Sequence, residues 1–231
     1  MSVLAVIPAR GGSKGIKLKN LRKIKGVSLV GRAISTLQES KLVNRIVVST
    51  DHNEIAHEAR RYDVDVPFLR PDNISGDRIG DIDVLHHALD ASEAYFKEKY
   101  EYVAMIQPTS PIRFPDDIDK AISIIKESNY DAVWSVSESD SKEHPFKQLI
   151  VQDKMLAYYD LKGKSIIARQ QLDKTYHRNG VVYVFKSQII RNRESLLTEK
   201  TFPLVLEGLR VSIDTEWDLE LCEYIFNRDN L

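Results

Sequence analysis

Short apolar runs alternate with amphipathic stretches along most of the chain. Val3-Leu4-Ala5-Val6-Ile7 is continuous and rich in branched side chains, which predicts a strand buried on both faces. From Leu29 the apolar positions Leu29, Val30, Ala33, Ile34 and Leu37 recur at helical spacing. Arg45-Ile46-Val47-Val48-Ser49-Thr50 reads as a second strand. Asp51 stands three residues before Glu54, a pattern that predicts a capped helix carrying Ile55, Ala56 and Ala59. Val84, Leu85, Ala88 and Leu89 mark another helix, and Tyr102-Val103-Ala104-Met105-Ile106 another strand. Ile118, Ala121, Ile122 and Ile125 predict a helix before the strand Ala132-Val133-Trp134-Ser135-Val136. Strands alternating with helices predict an α/β class, with a doubly wound, mostly parallel sheet covered on both faces.

The rhythm breaks at about 138–178, where the chain is polar and holds the shorter strand candidates Phe146 to Val151 and Met155 to Tyr159. We read this stretch as an inserted β-rich arm and expect it to make a subunit contact. Val181-Val182-Tyr183-Val184-Phe185 returns to the sheet, and a last helix is expected over roughly Glu216 to Asn227. No repeat, low-complexity segment or linker divides the chain, so a single domain over 1–231 with the arm inserted is expected.

Composition adds constraints. Lys and Arg number 33 against 34 Asp and Glu, without the broad basic excess of a nucleic-acid or membrane-surface binder. The lone Cys222 sits in a helical apolar pattern and reads as an inert core thiol. Met1 leads straight into a strand-like run, not a signal peptide, and no apolar run approaches the ~20 residues that span a bilayer. A cytoplasmic location is expected.

The first strand runs into Pro8-Ala9-Arg10-Gly11-Gly12-Ser13-Lys14-Gly15-Ile16-Lys17-Leu18-Lys19-Asn20. Ligands of open α/β sheets bind beyond the carboxyl ends of the strands, where this loop must lie. Seven cations and no acid fall between Arg10 and Lys25, in a chain of net charge −1. Glycines that let amides approach phosphate oxygens, with lysines beside them, suit a polyphosphate. The loop is neither a P-loop, whose second glycine would fall at Ile16 or Lys17, nor a dinucleotide fingerprint, which would need glycine at Arg10.

Ala9 to Gly15 with Lys19-Asn20 resembles the signature of the CMP-sialic acid synthetases, the acylneuraminate cytidylyltransferases. The likeness continues in order through Val48-Ser49-Thr50-Asp51, Leu69-Arg70-Pro71, Gln107-Pro108-Thr109-Ser110-Pro111, His144-Pro145, Arg169-Gln170-Gln171, Arg178-Asn179-Gly180 and Ile213-Asp214-Thr215-Glu216. It implies a nucleotide-diphosphosugar transferase fold of Rossmann-like type, a homodimer made through the arm, and transfer of CMP from CTP to an acidic nonulosonic sugar. By the same resemblance Arg10, Gly12, Ser13, Lys14, Lys19, Asn20 and Arg70 serve the nucleotide. Gln107, Lys147, Arg169, Gln170, Arg178 and Asn179 serve the sugar, with His144 and His177 near it. Arg10, Lys19 and Asp214 are the expected catalytic residues.

Two departures stand out. The family presents Asp-x-Asp before the last helix to hold Mg²⁺, and this chain has Ser212-Ile213-Asp214, leaving Asp214 as the expected metal ligand. A Ser/Thr-rich stretch of the family is replaced by Gly76-Asp77-Arg78-Ile79-Gly80-Asp81, where Asp81 either meets ligand hydroxyls or caps the next helix. Two other readings stay open at this stage: a cytidylyltransferase for another acidic sugar, such as an eight-carbon ulosonate, and a non-catalytic nucleotide binder.

Overall fold

The computed structural model describes residues 2–229. In chain order the elements are β1 (Val3–Pro8), β2 (Lys23–Ile24), β3 (Val27–Ser28), α1 (Leu29–Gln38), β4 (Arg45–Ser49), α2 (Asn53–Arg60), α3 (Asp81–Phe96) and β5 (Tyr102–Met105). There follow α4 (Pro115–Glu127), β6 (Ala132–Glu138), β7 (Leu149–Gln152), β8 (Met155–Tyr158), β9 (Tyr176–Lys186), α5 (Ser187–Arg191), β10 (Thr201–Val205) and α6 (Glu216–Arg228).

One six-stranded sheet runs in the order β10-β6-β9-β5-β1-β4. β1 pairs in parallel with β4 and β5, β10 pairs in parallel with β6, and β9 lies antiparallel between β5 and β6. The unbroken apolar run of β1 has the expected cause. Val3, Ala5 and Ile7 pack into the layer with α1, α2 and α4, while Leu4 and Val6 pack into the opposite layer with α3 and α5. Each aliphatic side chain so enclosed contributes roughly 1.5–3 kcal/mol. A third cluster joins α6 to the β2–β3 hairpin through Ile24, Leu219, Ile225 and Phe226. It includes Cys222, whose thiol is pushed up to about 11 by burial and then by the charge of Asp218, which makes it unreactive.

Several expectations are corrected. Asp51 does not cap α2; the cap position is His52. The His52 N–H goes to Thr50 Oγ1, and Asp51 turns back toward the first loop. The strand candidate starting at Phe146 begins only at Leu149, because Pro145–Lys147 forms a 3₁₀ turn whose Phe146 N–H is accepted by His144 Nδ1. β10 lay outside the pattern reading, and its Pro203 is tolerated because the strand is an edge. The chain leaves the sheet after Glu138 at the end of β6 and returns to it with β9 from Tyr176.

The β6–β9 register shifts between Trp134 and Val136. Asn179 fills the irregularity: its Oδ1 accepts from Ser135 Oγ at 2.6 Å and its Nδ2 donates to Ser137 Oγ at 3.1 Å. Gly180 follows with φ +74°, a conformation that favours glycine. This bulge turns β9 from the sheet into the arm and brings Gly180 against the loop after β5.

Candidate nucleotide and sugar site

A cleft of about 410 Å³ opens beyond the carboxyl ends of β1 and β5, a size suited to a nucleotide. Its wall includes Arg10, Gly12, Ser13, Lys19, Asn20, Arg70, Asp81, Gln107 and Asp214. The loop after β1 is held in shape from three sides. The Gly11 N–H donates to Asp51 Oδ1 at 2.8 Å, and buried Asn20 donates from Nδ2 to the Arg10 carbonyl at 2.9 Å. Gly15 crosses the chain before α6 so closely that a Cβ there would lie 2.2 Å from the Asp214 carbonyl oxygen.

The charges converge on this loop. Lys19 Nζ donates to the Ile213 carbonyl at 2.7 Å and to Asp214 Oδ1 at 2.9 Å, so the ammonium stands between the loop and the last helix. Thr215 is the cap of α6, in a reciprocal box with Asp218. Asp214 is thereby freed from capping, and its side chain remains 73% exposed. Arg70 is the most demanding group. Its side chain is buried, and Nε and one terminal nitrogen have no hydrogen-bond acceptor. Burial pulls its pKa below the usual arginine range, Asp51 opposes that, and Arg10 reinforces it. A buried guanidinium with unmet donors at a cleft wall calls for an anion or for base carbonyls.

Arg10 and Lys14 both reach Asp77, at 2.6 and 2.8 Å. Hydrogen bonds from Lys14 and then Arg10 hold that carboxyl below the ordinary carboxylate range. Asp77 was not among the expected site residues, although the loop 76–81 that carries it was. Lys14 is not part of the cleft wall itself and joins it through Asp77. Asp81 does not cap α3, since the cap position is Gly80; its Oδ2 lies 3.9 Å from an Arg178 nitrogen. Arg178 in turn lies over the Trp134 ring, 5.3 Å from its centroid.

This arrangement gathers cations and main-chain amides at one cleft. A profile of a family described as cytidylyltransferase matches residues 4–207. The chain belongs to the cytidylyltransferase family. It is a nucleotidyltransferase. The CMP-N,N'-diacetyllegionaminic acid synthase of Campylobacter jejuni is 32% identical over 231 residues, 99% of this chain and 97% of that protein. A protein of the same name from Legionella pneumophila is 32% identical over 222 residues, 95% of this chain and 93% of that protein. A solved structure of CMP:2-keto-3-deoxy-manno-octonic acid synthetase complexed with CTP matches with a TM-score of 0.73 at 16% identity. It covers 99% of this chain and 100% of that one, a likeness in fold.

The remaining expected sugar residues of this cytidylyltransferase fall elsewhere. Arg169 and Gln170 line a second depression with His144, formed by the arm and the strand ends, which shares no wall residue with the cleft. Lys147 lies nearby. Asp140 is held below the usual carboxylate range first by the Lys142 N–H and then by the charges of Lys142, Arg169 and Lys147. His177 Nδ1 is 3.0 Å from Ser139 Oγ. Asn179 is buried in the β6–β9 bulge with its amide used there, so within one chain it supports the sheet and does not face the cleft. Sequence reasoning missed Asp77 because its partners Arg10 and Lys14 are distant in sequence.

Proposed function

We propose that this enzyme transfers CMP from CTP to the anomeric hydroxyl of an acidic nonulosonic sugar of the legionaminate class. The observation that carries the reading is the buried, unsatisfied Arg70 facing the same cleft as Arg10 and Lys19, in a chain whose full-length relatives are named as CMP-legionaminate synthases. In the reaction the sugar oxygen bonds to the α-phosphorus while the bond from that phosphorus to the bridging oxygen of pyrophosphate breaks. The hydroxyl proton passes to solvent. Negative charge grows on the departing oxygens; Arg10 and Lys19 would stabilise it from the cleft wall, and Lys14 would join them once released from Asp77.

Mg²⁺ fits this donor set through Asp214. Among the described residues no group of three or more His, Cys, Asp or Glu gathers to hold a metal without other ligands. Magnesium needs no such cage: one carboxylate, phosphate oxygens and water suffice. When bound it would neutralise charge on the polyphosphate. Asp214 would hold it, and Lys19, already on Asp214 Oδ1, would set the carboxylate's orientation.

A homodimer belongs to the same reading. Val151 pairs with Leu156 and Leu149 with Tyr158 across β7–β8, placing four exposed apolar side chains on one face of the hairpin. A second copy would cover them. An arm reaching a partner's cleft would also account for Lys147, Arg169 and Gln170 lying away from the cleft of their own chain. No helix among the described residues is long and apolar enough to cross a membrane. A CTP-using reaction puts the enzyme in the cytoplasm in this reading.

The test is pyrophosphate release with CTP, Mg²⁺ and a panel of acceptors: legionaminate and pseudaminate derivatives, N-acetylneuraminate and an eight-carbon ulosonate. Release should be fastest with the legionaminate type. Silence across the panel with CTP binding intact would sink the reading. Asp214→Asn should lower turnover by on the order of 10²–10³ while leaving the thermal midpoint in place; equal loss of both would make Asp214 structural.

A further inference from the structure

The loop after β5 carries Gln107 into the cleft through Pro-Thr-Ser-Pro, a turn closed by one bond of its own, from the Ser110 N–H to the Gln107 carbonyl at 3.2 Å. Further supports come from outside. The Gln107 N–H donates to the Gly180 carbonyl at 3.3 Å, and the Ile213 N–H donates to the Thr109 carbonyl at 2.8 Å. Behind the loop, a terminal nitrogen of Arg113 donates both to the Gln107 carbonyl and, at 2.6 Å, to the Ser110 carbonyl. Gly180 presses from the other side. A Cβ there would meet Ser110 Oγ at 2.2 Å and Gln107 Oε1 at 2.6 Å.

Arg113 is buried, and burial pushes its guanidinium down to about 9, with Asp117 opposing, so it remains charged at neutral pH. The Asp117 carboxylate has other partners: it accepts from the Phe114 N–H at 3.2 Å and lies 3.5 Å from Arg210. A buried cation with one nitrogen on two main-chain carbonyls and Nε unpartnered costs more than an apolar side chain of the same volume. Such a group carries geometry more than stability. Arg113 does not line the cleft and so does not touch the ligand there.

We propose that Arg113 is a positioning residue for the acceptor sugar: from behind the cleft it clamps the Gln107 and Ser110 carbonyls and so fixes where the Gln107 amide meets the sugar. This rests on the acidic-sugar reading above. The polyphosphate wall of Arg10, Ser13 and Lys19 lies on a different loop; it meets this one through Ile213, whose N–H goes to Thr109 and whose carbonyl accepts from Lys19, and Arg113 holds neither of those groups.

The experiment is a double-mutant cycle with Arg113→Lys and Gln107→Ala. Each variant is measured for CTP dissociation constant, for KM and kcat with the preferred acceptor, and for thermal midpoint. Arg113→Lys should cut kcat/KM for the sugar by roughly tenfold to a hundredfold, the scale of a misplaced reacting group, while the CTP dissociation constant stays within about twofold. In the Gln107→Ala background the same substitution should cost little further. Equal loss in both backgrounds, or a parallel loss of CTP binding, would overturn the proposal and leave Arg113 a folding residue. Should the wild-type enzyme accept no sugar in the panel, the coupling is read from NMR of the CTP-bound protein. The Gln107 side-chain amide should shift or broaden in Arg113→Lys while the Gly12 amide does not. An unmoved Gln107 amide would overturn the clamp independently of the acceptor.

Discussion

Asp77 shows how a single side chain sets the resting state of the cradle. Its carboxylate sits between Arg10 and Lys14; under the proposed reading it holds the place of a phosphate oxygen and gives way when CTP enters. Removing the charge should therefore help binding. Asp77→Asn is expected to tighten CTP by roughly twofold to fivefold at low salt, the scale of exposed ion pairs, and the gain should shrink at high salt. Titration calorimetry at two ionic strengths decides it, and unchanged or weaker binding would mean that Asp77 orders the loop without competing. The cradle was legible in the sequence because glycines and cations crowd one short stretch. Asp77 and Arg113 were not, since the sequence around them does not reveal that one faces two cations 67 and 63 residues away, or that the other faces two carbonyls of its own loop. Asp51 shows the converse error: a sound local capping pattern was overridden when the Gly11 N–H offered a better tertiary donor.

At the scale of elements, strands buried on both faces and strongly amphipathic helices were the readable ones. β1, β5 and α4 match their patterns because burial dictates their residue types. β10 and α5 lack such a signature: one is a half-exposed edge strand interrupted by proline, the other a single short turn. Ile189 and Ile190 anchor α5 in the core, and a buried polar contact adds to them. Glu93 of α3, largely buried, accepts from Lys99 at 2.5 Å, from Arg191 of α5, and from the Tyr100 N–H at 3.1 Å. Desolvation raises its pKa, but the bonds from Lys99, Arg191 and Tyr100 outweigh it and leave the folded value below the ordinary 4.5. A depressed folded pKa contributes stability that is complete above the unfolded pKa and is lost as pH falls through the folded one. Wild type should thus lose thermal midpoint between about pH 5 and pH 2, and Glu93→Gln, weaker at pH 7, should lose less over that window. Parallel pH curves for the two proteins would show that Glu93 does not carry the acid limb.

At the scale of the whole molecule, the strand–helix alternation located the sheet, and the alternation breaks where the chain leaves β6 and resumes with β9. The sequence was uninformative about the arm's exposed face, because a ribbon outside the main sheet is not placed by core burial. Pairing shows which side chains share a face: Val151 opposite Leu156 and Leu149 opposite Tyr158 put apolar groups together, with Leu156 73% exposed. Four apolar groups on one face of a two-stranded ribbon are more than an isolated hairpin needs, and a partner copy is the occupant we infer. Leu156→Lys places an unpaired ammonium in the centre of that face and should convert a dimer to a monomer in analytical ultracentrifugation, with the thermal midpoint of the sheet little changed. The kinetic consequence separates a structural dimer from one that completes the site. If the partner's Lys147 and Arg169 serve the sugar, the monomer should keep its CTP dissociation constant and lose kcat/KM for the acceptor by at least about tenfold, the weight of one charge-assisted bidentate contact. A monomer with undiminished sugar kinetics would confine the whole site to one chain and leave those arm cations without a role in catalysis.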